Sequence, residues 1–293
     1  MLSRVYGFVR RNTAYFLYHL SPKMSARFLY RLRFGRWPDL NNPRLFQEKL
    51  TLLKVGPYAN DPKVIQCADK YRVREYIKSK GLEHQLNELY GVYPTVQSID
   101  LSVLPNAFAL KANNGSGDAI LCDNKEELDL SVVAEKLDNN QKFYMYRAEP
   151  HYQKIKPCIV VEKLLTPKAD VRPPDYKIYC LNGEPDHILV CYNRTSKSYQ
   201  TAYYDCDWNF ISNYCHSADK VAPPFKKPVS LPEMLESAKV LAEGFPLVRV
   251  DYYDIGGTAV FGEMTFTPAS ALDNYTDEAE EILGKKLDIS AWI

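Results

Sequence analysis

The feature that most constrains this chain is a pair of acidic residues inside two apolar runs near its end. Asp251 lies within residues 248–253 and Glu263 within residues 260–268, and both runs are rich in β-branched and aromatic side chains. A Gly-Gly pair lies between the runs, so the pattern predicts a β-hairpin. Because an unpaired carboxylate is costly to bury, a fold with this hairpin must give both acids a partner or leave them in solvent.

Two interpretations of the acidic pair follow. Facing each other across the hairpin, Asp251 and Glu263 could share a divalent cation, which would remove the cost of burying their charges. Magnesium suits such a pair, because it usually takes one or two carboxylates and fills its other positions with water and substrate phosphates. The alternative is a solvated strand face that carries two unrelated acids.

The overall composition is that of a folded soluble protein. The 293 residues are 46% hydrophobic and 25% charged, which allows one large domain or two to three subdomains. Seven cysteines without any C-x-x-C pair favour reduced, packed thiols in a cytosolic protein over a disulfide framework or a zinc site. There is no zinc-finger spacing or aromatic RNA-binding motif, so we expect no nucleic-acid binding.

The first 40 residues predict a basic amphipathic helical segment. Residues 1–36 contain eight Arg or Lys residues and no Asp or Glu. Such a segment could lie on an anionic membrane surface, or it could pack on the main body with its arginines in solvent. No run reaches the roughly 18 apolar residues of a membrane span. We therefore expect a cytoplasmic protein, either free or peripheral at the inner face of the cell membrane.

The rest of the chain divides into a helical part and a mixed part. Residues 41–104 have helical spacing, and Asn42-Pro43 and Asp61-Pro62 are typical helix starts, the second helix running to Gly81. From residue 105 onward, apolar runs alternate with turn signals, which predicts an α+β body. Strands are predicted at 108–111, 120–122, 159–164, 176–181 and 188–192, and helices at 125–137 and 231–245.

A lysine precedes a loop of small residues in the middle of the chain. Lys111 ends an apolar run and is followed by Asn113-Asn114-Gly115-Ser116-Gly117. Backbone N–H groups of such a loop can approach phosphate oxygens closely, while the ammonium group neutralises charge. The loop is not a Walker A motif, because Gly-Lys-Ser/Thr is absent. A plain β-turn is the alternative.

Other charged residues lie at the ends of predicted elements. Glu162-Lys163 ends an apolar strand, which can present a carboxylate and backbone groups to an adenine edge in an apolar cleft. Residues 176–181 and 188–192 are predicted to form a second hairpin around Asn182-Gly183. Lys177 lies at its start and Arg194 at its end, where both could contact anionic oxygens or be ordinary strand-end charges. Lys70 is predicted to lie on a helix, where a solvated charged face is the alternative.

The order of these groups along the chain resembles the ATP-grasp superfamily, most closely its TupA-like branch, named for teichuronopeptide biosynthesis. The resemblance covers roughly residues 40–275. Its motifs are NPRLFQEK (42–49), ADKYRVREY (68–76), LKANNGSG (110–117), PDYK (174–177), NGEP (182–185), FPLVRVDY (245–252) and FGEMTFTP (261–268). It implies an ATP-grasp fold of two α+β lobes, about 105–163 and 164–293, that clasp ATP behind an N-terminal helical region.

The resemblance also implies ATP and Mg²⁺ as cofactors and assigns roles to residues. The predicted ATP-binding residues are Lys70, Lys111, Asn114, Gly115, Ser116 and Gly117 for the phosphates, and Glu162, Lys163 and Leu164 for adenine. Lys177, Arg194 and Arg249 would face the γ-phosphate and an acyl-phosphate intermediate. Asp251, Glu263 and Thr265 would hold magnesium. Thr265 departs from the Glu-x-Asn pair of many ATP-grasp enzymes, and its hydroxyl is a weaker magnesium ligand than an amide oxygen.

The implied activity is an ATP-dependent carboxylate–amine ligase that forms an amide through an acyl phosphate. By analogy with the family, it would join an amine or amino acid to a uronic-acid carboxylate of a glycan, nucleotide-linked or lipid-linked sugar, in capsule, O-antigen or teichuronopeptide-like biosynthesis. One alternative is a glycosyltransferase of the same pathway, since Asp205-Cys206-Asp207 matches the Asp-x-Asp metal motif. Another is a non-catalytic ATP-binding protein, which the Thr265 departure makes conceivable.

Overall fold

Two N-terminal helices pack against each other and against the main body. The computed structural model describes residues 2–115, 119–138, 143–166, 172–195, 198–223 and 226–293. Helix α1 (Leu2–Leu20) turns into α2 (Pro22–Phe34), and both contact α7 (Phe143–Arg147). Proline suits the first turn of α2 because its missing N–H would have no helical partner there. The predicted N-terminal helical segment is therefore present, and one of its faces is covered.

The next helical region is interrupted where a continuous helix was predicted. After α3 (Phe46–Val55) come α4 (Pro62–Ala68) and α5 (Val73–Ser79), so the predicted single helix from Pro62 to Gly81 is wrong. Asp69 Oδ1 accepts hydrogen bonds from the backbone N–H groups of Tyr71 and Arg72, at 2.8 and 3.2 Å. An aspartate that bonds nearby backbone in this way competes with helix continuation.

The interruption places Lys70 in a turn rather than on a helix. Its backbone N–H donates to Asn113 O at 2.9 Å. Asn113 directly follows the strand Phe108–Ala112. The turn thereby links α4 and α5 to Asn113, the first residue of the small-residue loop at 113–117, which is called the glycine loop below.

A four-stranded antiparallel sheet forms the first lobe. Its strands are β1 (Leu89–Tyr93), β2 (Phe108–Ala112), β3 (Ile120–Cys122) and β4 (Ile159–Lys163), in the order β1-β4-β2-β3. Helix α6 (Leu130–Asp138) covers one face, where Val133, Ala134 and Leu137 join a core with Phe108 and Val161. Because β1 pairs with β4, this lobe begins at residue 89 rather than at the predicted residue 105.

A six-stranded antiparallel sheet forms the second lobe. Its strands are β5 (Asp175–Leu181), β6 (Glu184–Tyr192), β7 (Gln200–Asp205), β8 (Phe210–Ile211), β9 (Leu247–Ile255) and β10 (Thr258–Thr265), in the order β10-β9-β5-β6-β7-β8. Helix α8 (Leu231–Ala242) packs on it. The predicted hairpin at the end of the chain is confirmed as β9–β10, with left-handed φ values of +63° and +85° at Gly256 and Gly257.

The last helix, α9 (Asp277–Lys286), closes the second lobe against the segment that leads into α3. A Cβ atom on Gly284 would lie 2.2 Å from the carbonyl oxygen of Arg44, so only glycine permits this approach. All seven cysteines are free thiols. No helix in the described ranges combines the length and the apolar character needed to span a bilayer.

We predict that Gly284→Ala lowers the free energy of unfolding by about 3 kcal/mol, because the added methyl group must push two backbone segments apart. Gly7→Ala is the matched control. Apart from its own helix backbone, no atom of the described residues lies within 4 Å of the new Cβ, so that variant should gain up to about 1 kcal/mol of helix stability. Urea unfolding followed by circular dichroism measures both, and equal effects of the two substitutions would contradict the close packing of α9.

Candidate functional site

Three neighbouring strands align a row of charged side chains. Lys177 on β5 lies opposite Asp251 on β9, and Asp251 lies opposite Glu263 on β10. A β-bulge between Phe261 and Glu263 shifts the register of β10 just before this position. Bulges re-aim side chains next to functional sites. Residues that are far apart in sequence therefore form one charged row across the sheet.

The row is held by ion pairs that are largely buried. Arg249 donates two parallel hydrogen bonds to Asp251, from Nε to Oδ1 at 2.7 Å and from Nη2 to Oδ2 at 2.8 Å. Lys177 also contacts Asp251, and its Nζ lies 2.7 Å from Asp175 Oδ2. Lys70 reaches Glu263 at 3.0 Å from the other side. Removing one member of such a cluster would leave an uncompensated buried charge, so the charges depend on one another.

The ion pairs shift the pKa values of the row. Burial alone would raise the pKa of Glu263, but Lys70, Lys177 and Arg249 outweigh it and hold that pKa well below its usual range. Burial would lower the pKa of Lys177, but Asp175 and Asp251 raise it well above the ordinary value. For Asp251 burial raises the pKa, and Arg249 and Lys177 oppose the rise. Glu263 is thus an ionised carboxylate across the physiological pH range.

A cleft of about 290 Å³ opens above this row, between the two sheets. Lys111 and Ala119 line it from the first lobe, and Arg194, Tyr199 and Tyr253 complete it from the second. Its charged lining residues are Lys70, Lys111, Lys177, Arg194 and Arg249 against Asp175, Asp251 and Glu263. Five cations against three carboxylates leave an excess of two positive charges, which suits an anionic ligand.

A second, more apolar cleft of about 100 Å³ adjoins the first. The two share Lys111, Ala119, Arg194 and Tyr253, so they form one continuous groove. The apolar part of the second cleft is lined by Ala109, Leu121, Leu164, Leu165 and Pro173. An apolar slot that opens into a cationic cleft matches a ligand with a flat, uncharged end and an anionic end.

Comparison with known proteins identifies the family of this chain. The family model described as TupA-like ATPgrasp matches residues 48–288, which is most of the chain. The chain belongs to the TupA-like ATP-grasp family. It has the ATP-grasp fold, with the two antiparallel sheets as its lobes. No curated protein matches the sequence.

Several solved structures are similar at low identity. D-alanine–D-alanine ligase from Helicobacter pylori is 14% identical, with a TM-score of 0.44, and the match covers 83% of this chain and 69% of that one. The ATP-grasp ligase PsnB, complexed with a minimal precursor, is 11% identical over 74% and 60% of the two chains, with a TM-score of 0.38. Carboxyaminoimidazole ribonucleotide synthase from Aspergillus clavatus, complexed with ATP, is 10% identical over 70% and 46%, with a TM-score of 0.42. The chain thus spans less than two thirds of the length of the last two.

In this TupA-like protein, Lys163 and Leu164 line the apolar cleft, whereas Glu162, the third residue predicted to border adenine, does not. Glu162 Oε2 instead accepts from Lys111 Nζ at 2.8 Å, and its Oε1 accepts from Arg74 at 3.2 Å. Asn87 holds the end of the same strand through a bond from its amide to Lys163 O. Glu162 therefore orients Lys111 toward the groove.

The predicted glycine loop is partly described. Asn114 is buried, and its carbonyl oxygen accepts a hydrogen bond from the Tyr144 hydroxyl. Gly115 O accepts from Lys70 Nζ at 2.5 Å, which places Lys70 between the loop and Glu263. Ser116 and Gly117 lie outside the described residues.

Thr265 does not line the charged cleft. Its hydroxyl donates to Glu263 Oε1 at 3.4 Å and accepts from Arg249 Nη2 at 3.1 Å. The threonine lines a separate, smaller chamber beyond Arg249 and Glu263. These hydrogen bonds indicate that Thr265 positions Glu263 and Arg249. They are less suited to a role as a metal ligand.

The metal donors available are two carboxylates. Among the described residues, no group of three or more His, Cys, Asp or Glu side chains could hold a metal ion. One magnesium ion that takes most of its ligands from phosphates and water needs only one or two carboxylates. The Glu263 side chain is 31% exposed and is the accessible donor, while Asp251 is 3% exposed and would bind the ion only by giving up a hydrogen bond to Arg249. The residues present therefore fit one ion at this cleft.

Sequence reasoning missed three charged residues that border the site. Asp175 pairs with Lys177 and with Arg194, each through its Oδ2 atom. Its place in the PDYK motif, two residues before Lys177 on one strand, was a usable signal, since alternate residues share a face. Arg147 and Glu149 line the smaller chamber. They have no comparable local signal.

The aspartates that suggested a glycosyltransferase lie elsewhere. Asp205 accepts from the backbone N–H and the side-chain amide of Asn209, at 2.7 and 2.8 Å. Asp205-Cys206-Asp207 thus stabilises a turn after β7, and none of the three residues lines the groove.

We predict that Asp251→Asn lowers the free energy of unfolding by about 3 kcal/mol, because it leaves Lys177 and Arg249 buried without their main counter-charge. Glu263→Gln keeps the shape of the side chain at a partly exposed position and should cost about 1 kcal/mol. Urea unfolding at neutral pH measures both. A smaller loss for Asp251→Asn than for Glu263→Gln would show that Asp251 is not the centre of the cluster.

Proposed function

We propose that this protein is an ATP-dependent carboxylate–amine ligase. The observation that carries this proposal is the continuous groove, in which an apolar slot opens into a cationic cleft with two carboxylates at its floor. The adenine ring would occupy the slot beside Lys163 and Leu164. The phosphates would extend past Lys111 toward Lys177 and the other cations of the charged row.

Each charged group has a role in phosphoryl transfer under this proposal. Lys70 and Lys111 would bind phosphate oxygens, while Lys177, Arg194 and Arg249 would face the γ-phosphate. Glu263 and Asp251 would hold a magnesium ion, which would offset charge on the phosphates. Phosphoryl transfer depends on positioning and electrostatic stabilisation rather than on a protein nucleophile. A site rich in cations supports that chemistry.

The reaction would proceed in two steps. A substrate carboxylate oxygen attacks the γ-phosphorus of ATP, which gives an acyl phosphate and ADP. An amine then attacks the acyl carbon, forms the amide bond and releases inorganic phosphate. Arg249 and Lys177 would stabilise the negative charge that accumulates on the transferring oxygens, and the lobes on either side would limit access of water.

The substrates belong to the same proposal. Membership of a family named for teichuronopeptide biosynthesis supports a uronic-acid carboxylate on a nucleotide-linked, lipid-linked or polymeric glycan of the cell surface, and an amino acid or other amine as its partner. Fold and family alone do not select among these substrates.

Uronic acids and amines would be tested in all pairwise combinations with ATP and Mg²⁺. We predict that at least one pair gives phosphate release, and only when both members of the pair are supplied. Glu263→Gln should lower kcat at least about 100-fold, because the accessible metal donor loses its charge. Glu236→Gln, the same substitution at an exposed position on α8, should leave kcat unchanged. Coupled phosphate detection measures these rates, and wild-type turnover by Glu263→Gln would overturn the assignment of the metal site.

A cytoplasmic location with peripheral contact to the inner membrane face is also part of the proposal. Val9, Phe16 and Leu20 are 55, 63 and 60% exposed, and their spacing places them on one face of α1. Arg10 is exposed beside this stripe. Apolar side chains next to a cation match an anionic lipid surface, which would bring the ligase close to a lipid-linked glycan.

We predict that the wild-type protein floats with vesicles containing anionic phosphatidylglycerol and not with neutral phosphatidylcholine vesicles. Phe16→Ser with Leu20→Ser should abolish flotation, because it removes most of the exposed apolar stripe. Val132→Ser with Val229→Ser, which alters two apolar side chains elsewhere that are 60% and 81% exposed, is the control. Unchanged flotation of the α1 variant, or no flotation of the wild type, would rule out this contact.

A further inference from the structure

A small polar chamber of about 60 Å³ adjoins the charged cleft. Among the described residues it shares only Arg249 and Glu263 with that cleft, and apart from Gly115 and Thr265 its other lining residues have no part in the proposed phosphoryl transfer. The other lining residues are Gly115, Tyr144, Arg147, Glu149, Tyr152, Thr265, Thr267, Ala269 and Ser270. A group bound in this chamber would lie directly beside the centre where phosphate is transferred.

Two buried charged residues, Glu149 and Lys54, form hydrogen bonds that fix the wall of the chamber. Glu149 accepts hydrogen bonds from the Thr267 hydroxyl and, at 3.0 Å, from the Ser270 hydroxyl. Lys54, which has no exposed surface, donates to Ser270 O at 2.7 Å and to Arg147 O at 3.2 Å. Since buried charges are expensive even when paired, these two groups point to a wall whose shape has a function.

The chamber wall also contains strained backbone. Ala269, Ser270 and Ala271 have φ values of 47°, 59° and 59°, the left-handed region that residues with a side chain rarely adopt. Each such residue costs on the order of 1 kcal/mol or more, and such strain persists where surrounding contacts enforce it, commonly at ligand sites. Lys54 and Glu149 supply those contacts at Ser270.

The charges on the chamber match a particular ligand. Arg147 and Glu149 place opposite charges in one small space, with the Thr267 and Ser270 hydroxyls bonded to Glu149. The other two charged lining residues, Arg249 and Glu263, already pair with each other. We propose that the chamber binds the head group of an α-amino acid, with its carboxylate at Arg147 and its amino nitrogen at Glu149. A simple amine would match only Glu149, and a second carboxylate would be repelled by it. This inference rests on the proposed ligase function and names the amine substrate as an amino acid.

Binding can be tested without turnover. Isothermal titration of the wild-type protein, loaded with Mg²⁺ and a non-hydrolysable ATP analogue, would be carried out with the common L- and D-amino acids. We expect at least one to bind, and its amide, which lacks the carboxylate, to bind at least about 10-fold more weakly. Arg147→Gln should lose about 10-fold in affinity for the amino acid and nothing for the amide. Arg31→Gln, at an exposed position of α2, should bind as the wild type does.

Arg147→Gln carries the test because Glu149→Gln would remove the counter-charge of Lys54 and could unfold the protein. Failure of every amino acid to bind, equal binding of acid and amide, or equal losses for both ligands in Arg147→Gln would each overturn the inference. Failure of the ligase proposal has a different signature. Hydroxylamine needs no head-group site, so hydroxamate formed from ATP and a uronic acid would support ligase chemistry even where amino acids do not bind.

Discussion

The structure of the site depends on the double hydrogen bond between Arg249 and Asp251. These residues are two apart on β9, the strand between β5 and β10, so the pair lies in the middle of the charged row. Around it, Lys177 binds Asp251 from one neighbouring strand and Glu263 approaches Arg249 from the other. A charge change at any of these positions alters the electrostatic balance of the other three, because Lys177, Arg249 and Asp251 are largely buried and Glu263 contacts Arg249.

The same pair connects the charged cleft with the smaller chamber. Arg249 lines both, and its Nη2 atom contacts Asp251, Glu263 and Thr265. From the helical region, Lys70 adds a bond to Glu263 and another to Gly115 of the glycine loop. The interrupted helix at Asp69 therefore has a structural purpose, since a continuous helix would not bring the Lys70 backbone to Asn113.

Local patterns predicted a large part of the fold and of the site. The β9–β10 hairpin follows from two glycines between β-rich runs, whereas the bulge after Phe261, which brings Glu263 opposite Asp251, is not visible in the apolar spacing. The break between α4 and α5 was missed because Asp69 bonds to backbone two and three residues ahead, a competition that apolar spacing does not reveal. Glu162 was placed at the adenine slot, yet its partners Lys111 and Arg74 come from elements far away in sequence. Glu149 likewise acquires its role only through contacts with Lys54, Thr267 and Ser270.

The most direct test of the site as a whole is a crystal structure with Mn²⁺ and a non-hydrolysable ATP analogue, in which anomalous scattering locates the metal. The expected result is an adenine ring between Leu164 and Ala109, phosphates against Lys111 and Lys177, and a manganese peak bound by Glu263 and Asp251. Nucleotide bound outside this groove, or a manganese peak remote from both carboxylates, would contradict the assignment of the groove as an ATP site.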